Sequence, residues 1–162
     1  MSRTGREPED PCDVDACRES ALRLLDAADR PSGALRDRLI DKGYDDETVA
    51  AVVDRLIEVG LVDDESYAQS AVRYCVGRLM GYRGAVMELA RKGVDRPLAE
   101  RVCDEARMSG VFEDAAWELG RRSAAKTQGM DPKVRKRRFW SSGGRKGHDA
   151  ETLRAVAHEL FD

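Results

Sequence analysis

From Asp15 onward, apolar residues recur at the spacing of one helix face, and no stretch shows the period of two that marks a half-buried strand. The pattern also repeats on a longer scale. Lys-Gly-x-Asp occurs at Lys42–Asp45, Lys92–Asp95 and Lys146–Asp149, in steps of 50 and 54 residues. Apolar or small residues follow each Gly at offsets of 6, 9, 10 and 13. They are Val49, Val52, Val53 and Leu56 in the first copy. The second has Ala99, Val102, Cys103 and Ala106, and the third Leu153, Val156, Ala157 and Leu160. One amphipathic helix therefore returns three times in register, the signature of a repeat architecture.

Capping residues place the other helices. The first runs from about Asp15 to Ala28, ahead of Arg30-Pro31. Ser32 is expected to cap a second helix, which Lys42-Gly43 closes with a left-handed Gly. Asp45 or Asp46 opens a third helix through Val59. The same grammar predicts helices over 65–80, 82–92 and 97–108, with Gly81 ending the first of these. A last set covers 112–128, 133–140 and 149–161. Ser141-Ser142-Gly143-Gly144 reads as a loop or an early helix end, and it absorbs the extra residues of the third period. The fold expected is all-α: three tandem three-helix repeats at 15–61, 62–110 and 111–162, forming an elongated curved array, behind a disordered acidic arm at 1–14.

Composition changes this picture only through charge. The 162 residues carry a net charge of −3, but the balance is uneven along the chain. Residues 1–61 hold 9 basic and 15 acidic side chains, residues 62–110 hold 8 of each, and residues 111–162 hold 11 and 8. An acidic start and a basic end point to two surfaces for two partners. Cys75 and Cys103 fall on core faces. Cys12 and Cys17 lack the companions of a zinc site. No leader-like apolar segment opens the chain and no run of about 18 apolar residues occurs, so a cytoplasmic protein without a membrane segment is expected.

Catalytic readings find little support. In Lys-Gly-x-Asp, Lys ends a helix, Gly reverses the chain and Asp caps the next helix. Asp63-Asp64-Glu65 suits a helix N-terminus better than a cation site. His148 and His158 have no nucleophile at a recognisable spacing, and no Walker-type loop occurs. Neither an enzyme nor a cofactor is expected. The basic stretch stands apart: Arg121, Arg122, Lys126, Lys133, Arg135, Lys136, Arg137, Arg138, Arg145 and Lys146 are opposed only by Asp131. Such a cluster neutralises phosphates, and neighbouring Phe139 and Trp140 could stack on an unpaired base. Helical spacing with Val134 assigns Phe139 to the core instead.

Gly60-Leu61-Val62-Asp63-Asp64-Glu65-Ser66-Tyr67-Ala68 resembles a segment of the RecX family. Gly81 with Glu88-Leu89 and Lys92-Gly93-Val94 is similar to a second segment. Ala21-Leu22, Leu25, Ser32, Leu35, Leu39 and Lys42-Gly43 resemble the family's first repeat. The likeness covers residues 16–108 well and is looser over 112–160, where Ser141–Gly144 departs from an uninterrupted middle helix. Tyr82 stands where Pro is common, and Ala85 where a larger aliphatic is. The resemblance implies a non-catalytic regulator that binds in the groove of the RecA–DNA filament and limits recombinase and coprotease activity. It implies three three-helix repeats, as the periodicity does, and supplies no catalytic residues. The partners expected are the RecA filament and single- or double-stranded DNA without sequence specificity, met by a monomer. Two alternatives are a stand-alone helical DNA-binding protein and a protein-interaction array that meets no nucleic acid.

Overall fold

The structure is a computed structural model that describes residues 7–162. Among these residues there are nine α-helices and no β-strand: α1 (Val14–Ala27), α2 (Ser32–Lys42), α3 (Asp46–Glu58), α4 (Asp64–Gly77), α5 (Tyr82–Arg91), α6 (Arg96–Met108), α7 (Val111–Lys126), α8 (Pro132–Arg145) and α9 (Ala150–Phe161). They form the three tandem three-helix repeats that the periodicity predicts. Of the twelve offset positions after the three Gly residues, ten are buried and only Ala106 and Leu160 are half-buried, which fixes the register of all three copies.

The repeat motif folds as its chemistry dictates. Gly43, Gly93 and Gly147 have φ of 110°, 101° and 86°, backbone angles that side chains with a Cβ adopt at a cost. Asp45 accepts from the Thr48 N–H at 2.7 Å and Asp149 from the Thr152 N–H at 2.8 Å, capping α3 and α9. The variable residue between Gly and Asp is buried in every copy, as Tyr44, Val94 and His148.

Contacts divide the chain into two compact units. One comprises the described residues up to Tyr67 with Lys92–Asp95, and the other Ala68–Arg91 with Arg96–Asp162. The core of the first unit joins Cys17 and Ala21 of α1, Leu35 and Leu39 of α2, and the valines and Leu56 of α3. In the second, Ala116 and Leu119 of α7, Phe139 of α8, and Leu153, Val156 and Ala157 of α9 share one cluster. Phe139 is fully buried, as its spacing requires, and Trp140 packs partly buried against the same cluster.

The expected arm turns out to divide. Its residues 1–6 lie outside the described residues, while residues 7–13 turn back on the first repeat. The Asp45 N–H donates to the Pro11 carbonyl at 3.0 Å, and the Cys12 thiol donates to the Asp45 carboxylate at 2.7 Å. That bond pushes the exposed Cys12 thiol above its ordinary pKa. Asp13 then caps α1 through the Ala16 N–H.

Three boundaries differ from expectation. Ser141–Gly144 is not a loop: α8 runs through it to Arg145. Relative to α5, the four extra residues of the third period add about one turn of helix. Gly143 is small because a Cβ there would collide with Leu153 of α9, not because the chain must turn. Second, α4 stops at Gly77 rather than near Met80, and the residue that reverses it is Leu79, with φ 62°. Gly81 instead allows a close approach, since a Cβ on it would meet the His148 backbone at 2.6 Å. Third, Ser32 does not cap α2. Its N–H and hydroxyl both donate to the Asp64 carboxylate, which caps α2 from a distant part of the chain. Asp63 caps α4 through Ser66.

Candidate nucleic-acid interface

Helix periodicity sorts the ten basic residues by face. On α7, Leu119, Arg122, Ser123 and Lys126 share one side. On α8, Arg138 and Ser142 share a side with Lys146 just beyond the helix end. These two faces and the end of α4, at Gly77, Arg78 and Leu79, line a cleft of about 400 Å³ within the second unit. Five cationic residues line it, Arg78, Arg122, Lys126, Arg138 and Lys146, and no acidic residue does. Thr127 completes the wall, and its hydroxyl donates to the Ser123 carbonyl at 2.7 Å.

The turn after α8 holds the cleft together. The Lys146 ammonium donates to the Arg78 carbonyl at 2.8 Å, and the Gly81 N–H donates to the Lys146 carbonyl at 2.8 Å. His148 Nε2 lies 2.8 Å from the Leu79 carbonyl. Burial lowers the His148 pKa from its ordinary value, against the pull of that hydrogen bond. The neutral ring therefore carries its proton on Nε2 and donates it to Leu79. Gly84 and Gly147 touch backbone to backbone at the same junction, where neither could bear a Cβ. In the first unit, Gly93 meets the start of α2 in the same way, with room for no Cβ beside Ala34. Each later copy of Lys-Gly-x-Asp thus docks on a glycine near the start of the preceding middle helix.

Only four of the ten basic residues predicted from sequence line the cleft: Arg122, Lys126, Arg138 and Lys146. The others serve elsewhere. Arg135 donates to the Thr127 hydroxyl and the Ala124 carbonyl, both at 3.1 Å, and lies over the Phe161 ring. It clasps α7, α8 and α9 together. Lys136 pairs with Asp162 at 2.6 Å, which holds that carboxyl below the usual range. Arg121 and Arg122 share Glu118, whose acidity their hydrogen bonds increase, Arg122 first. Arg145 donates to Ser141, while Lys133 and Arg137 lie exposed outside the cleft. Sequence reasoning missed Arg78, which sits in the second repeat, outside the dense basic stretch, with only Arg73 and Arg83 within five residues. Only the docking of the third Lys-Gly-x-Asp turn brings it to the others.

The acidic side of the chain is less organised. Asp37 and Asp41 project from α2 and are exposed. Asp63 and Asp64 are both engaged as helix caps. Among the described residues no cluster of three or more His, Cys, Asp or Glu is arranged to hold a metal ion, and no helix is long and apolar enough to cross a membrane.

Nine helices in three tandem repeats among the described residues, with a cationic cleft lined mostly by the third, define an all-α repeat protein, and comparison supplies its family. The sequence profile of the RecX first three-helix domain matches residues 17–56. Regulatory protein RecX of Thermobifida fusca (strain YX) is 37% identical over 147 residues, covering 88% of this chain and 78% of that protein. Regulatory protein RecX of Mycobacterium sp. (strain JLS) is 43% identical over 98 residues, 58% of this chain and 52% of its own, so the chain spans about half the length of that relative. The crystal structure of RecX from Lactobacillus salivarius has the same fold, with a TM-score of 0.80 over 91% of this chain and 96% of that one, at 20% identity. The chain belongs to the RecX family.

Proposed function

We propose that this protein binds RecA–DNA filaments and restrains RecA, slowing strand exchange, ATP turnover and coprotease activity without catalysing a reaction itself. One observation carries the reading: its relatives named regulatory protein RecX match it over most of its length, 88% of this chain in the Thermobifida case. The charge distribution supports a composite target. The basic third repeat is suited to phosphates and the acidic first repeat to a basic protein surface. As a monomer in the cytoplasm, it would meet both through one chain. Two modest contacts on linked surfaces gain from effective concentration, so filament binding is expected to be tighter than binding to RecA or DNA alone.

The test is RecA-dependent strand exchange on single-stranded DNA with this protein titrated in. Inhibition at substoichiometric amounts, with a parallel fall in RecA ATPase, is the expected result. Unchanged strand exchange and ATPase at saturating protein would remove the regulator. The cationic cleft then favours a second reading, a helical protein that binds DNA on its own account.

A further inference from the structure

We infer that the cleft between the end of α4, α7 and α8 is a built seat for two or more consecutive phosphates of a nucleic-acid strand, and that Arg78 of the second repeat completes it. The inference deepens the proposed function and rests on its nucleic-acid half.

Three observations carry it. The first is that two of the cleft's cations, Lys126 and Arg138, lack counter-charge. Several helical arginines are neutralised one turn away, as Arg23 is by Glu19, Arg55 by Glu58 and Arg107 by Asp104, and in the cleft itself Arg122 by Glu118. Between Pro132 and His148 the chain has no carboxylate at all. Among the described residues neither Lys126 nor Arg138 has an acidic partner, although both line the cleft with three further cations. Like charges gathered in one concavity repel one another, and an anion that enters relieves this.

The second is size and chemistry. About 400 Å³ accepts a short run of sugar-phosphate but not a duplex. Ser123 and Ser142 line it beside the cations, and hydroxyls donate to phosphate oxygens. The third is the absence of any aromatic ring from the lining, with Trp140 packed against the core cluster. Base stacking is not offered here, so the site reads backbone charge and not sequence. Lys146 is oriented toward this role by its bond to the Arg78 carbonyl, which fixes the ammonium at the rim.

The test uses the full chain, without RecA, and a fluorescein-labelled oligothymidylate followed by anisotropy at several salt concentrations. Lys126→Ala with Arg138→Ala is expected to weaken binding about tenfold or more at low salt. It should also flatten the salt slope by about 1.4, the share of two phosphate contacts on a single strand. Gly77→Glu provides a second variant that leaves the fold intact, because a Cβ there meets nothing within 4 Å. Its carboxylate at the cleft wall should weaken binding comparably. The control, Lys133→Ala with Arg137→Ala, removes the same charge outside the cleft and should lose less than about threefold. Circular dichroism confirms that each variant is folded. If the control pair loses as much as the cleft pair, or if Gly77→Glu binds like the parent, the inference is wrong. Tripolyphosphate serves as competitor. Should it bind more tightly than the oligonucleotide, the cleft belongs to a free polyphosphate and the strand assignment falls. Cleft variants that bind like a parent that still inhibits RecA remove the seat and keep the regulator. A parent that binds the strand through the cleft but leaves RecA unaffected does the reverse.

Discussion

Each position of Lys-Gly-x-Asp does one physical job, and the three copies show which jobs are shared. In all three Gly turns the backbone and the residue after it fills the core, and in the first and third copies Asp caps the following helix. Two measurements separate the reasons for glycine. Gly60 (φ 79°) and Gly93 (φ 101°) are both left-handed, but a Cβ on Gly60 meets nothing, whereas one on Gly93 sits 2.8 Å from the Ala34 nitrogen. Gly60→Ala should cost about 1 kcal/mol, from backbone conformation alone. Gly93→Ala should cost clearly more, because it also forces the docked backbone apart; urea denaturation reads the difference. His148 makes a pH prediction. Its folded pKa lies below its ordinary value near 6.5, so the unfolded chain binds more protons as pH falls through that value. The contribution is therefore fully present above about pH 6.5 and is lost as pH falls through the folded value. His148→Val, which copies Val94, should make thermal stability fall less between pH 7 and pH 5 than it does in the parent.

The helices show how local signals compete. In α8 the run Ser141-Ser142-Gly143-Gly144 is poor in helix formers, yet the helix continues because burial of Phe139 and close packing with α9 outweigh propensity. The two glycines should respond in opposite directions. Gly144→Ala fills open space and should stabilise by about 0.5–1 kcal/mol. Gly143→Ala drives a methyl group into Leu153 and should destabilise, with both effects visible in the melting temperature. The end of α4 is the complementary case. Leu79 accepts an unfavourable left-handed φ because its side chain packs against the cluster around Phe139 and its carbonyl is held by His148.

At the scale of the molecule, charge runs from −6 over residues 1–61 to +3 over residues 111–162. If the acidic repeat faces RecA, Asp37→Lys with Asp41→Lys should weaken filament binding while leaving oligonucleotide binding unchanged or slightly stronger. Both residues are exposed on α2, so the fold should tolerate the change. Equal binding of parent and variant to filaments, measured by co-sedimentation, would move the protein contact off this face.

What the sequence determined by itself is local or periodic. The three helices per repeat, the register of α3, α6 and α9, the buried Phe139, Cys75 and Cys103, and the left-handed Gly43 and Gly93 all follow from spacings within a few turns of chain. The tertiary structure decided whatever joins residues far apart. A glycine at a turn and a glycine under a packed side chain look alike in sequence, so Gly143 read as a loop and Gly81 as a helix stop. A cap can come from a distant carboxylate, so Asp64 took the role expected of Ser32. A count of basic residues does not know which face of a helix each one occupies. Packing therefore turned Arg135 and Lys136 into structural ties to α7 and α9, and brought Arg78 to the cleft from 68 residues before Lys146. The physical reason is the same in each case: periodicity and capping act through the backbone nearby, whereas close approach and shared charge exist only once separate helices meet.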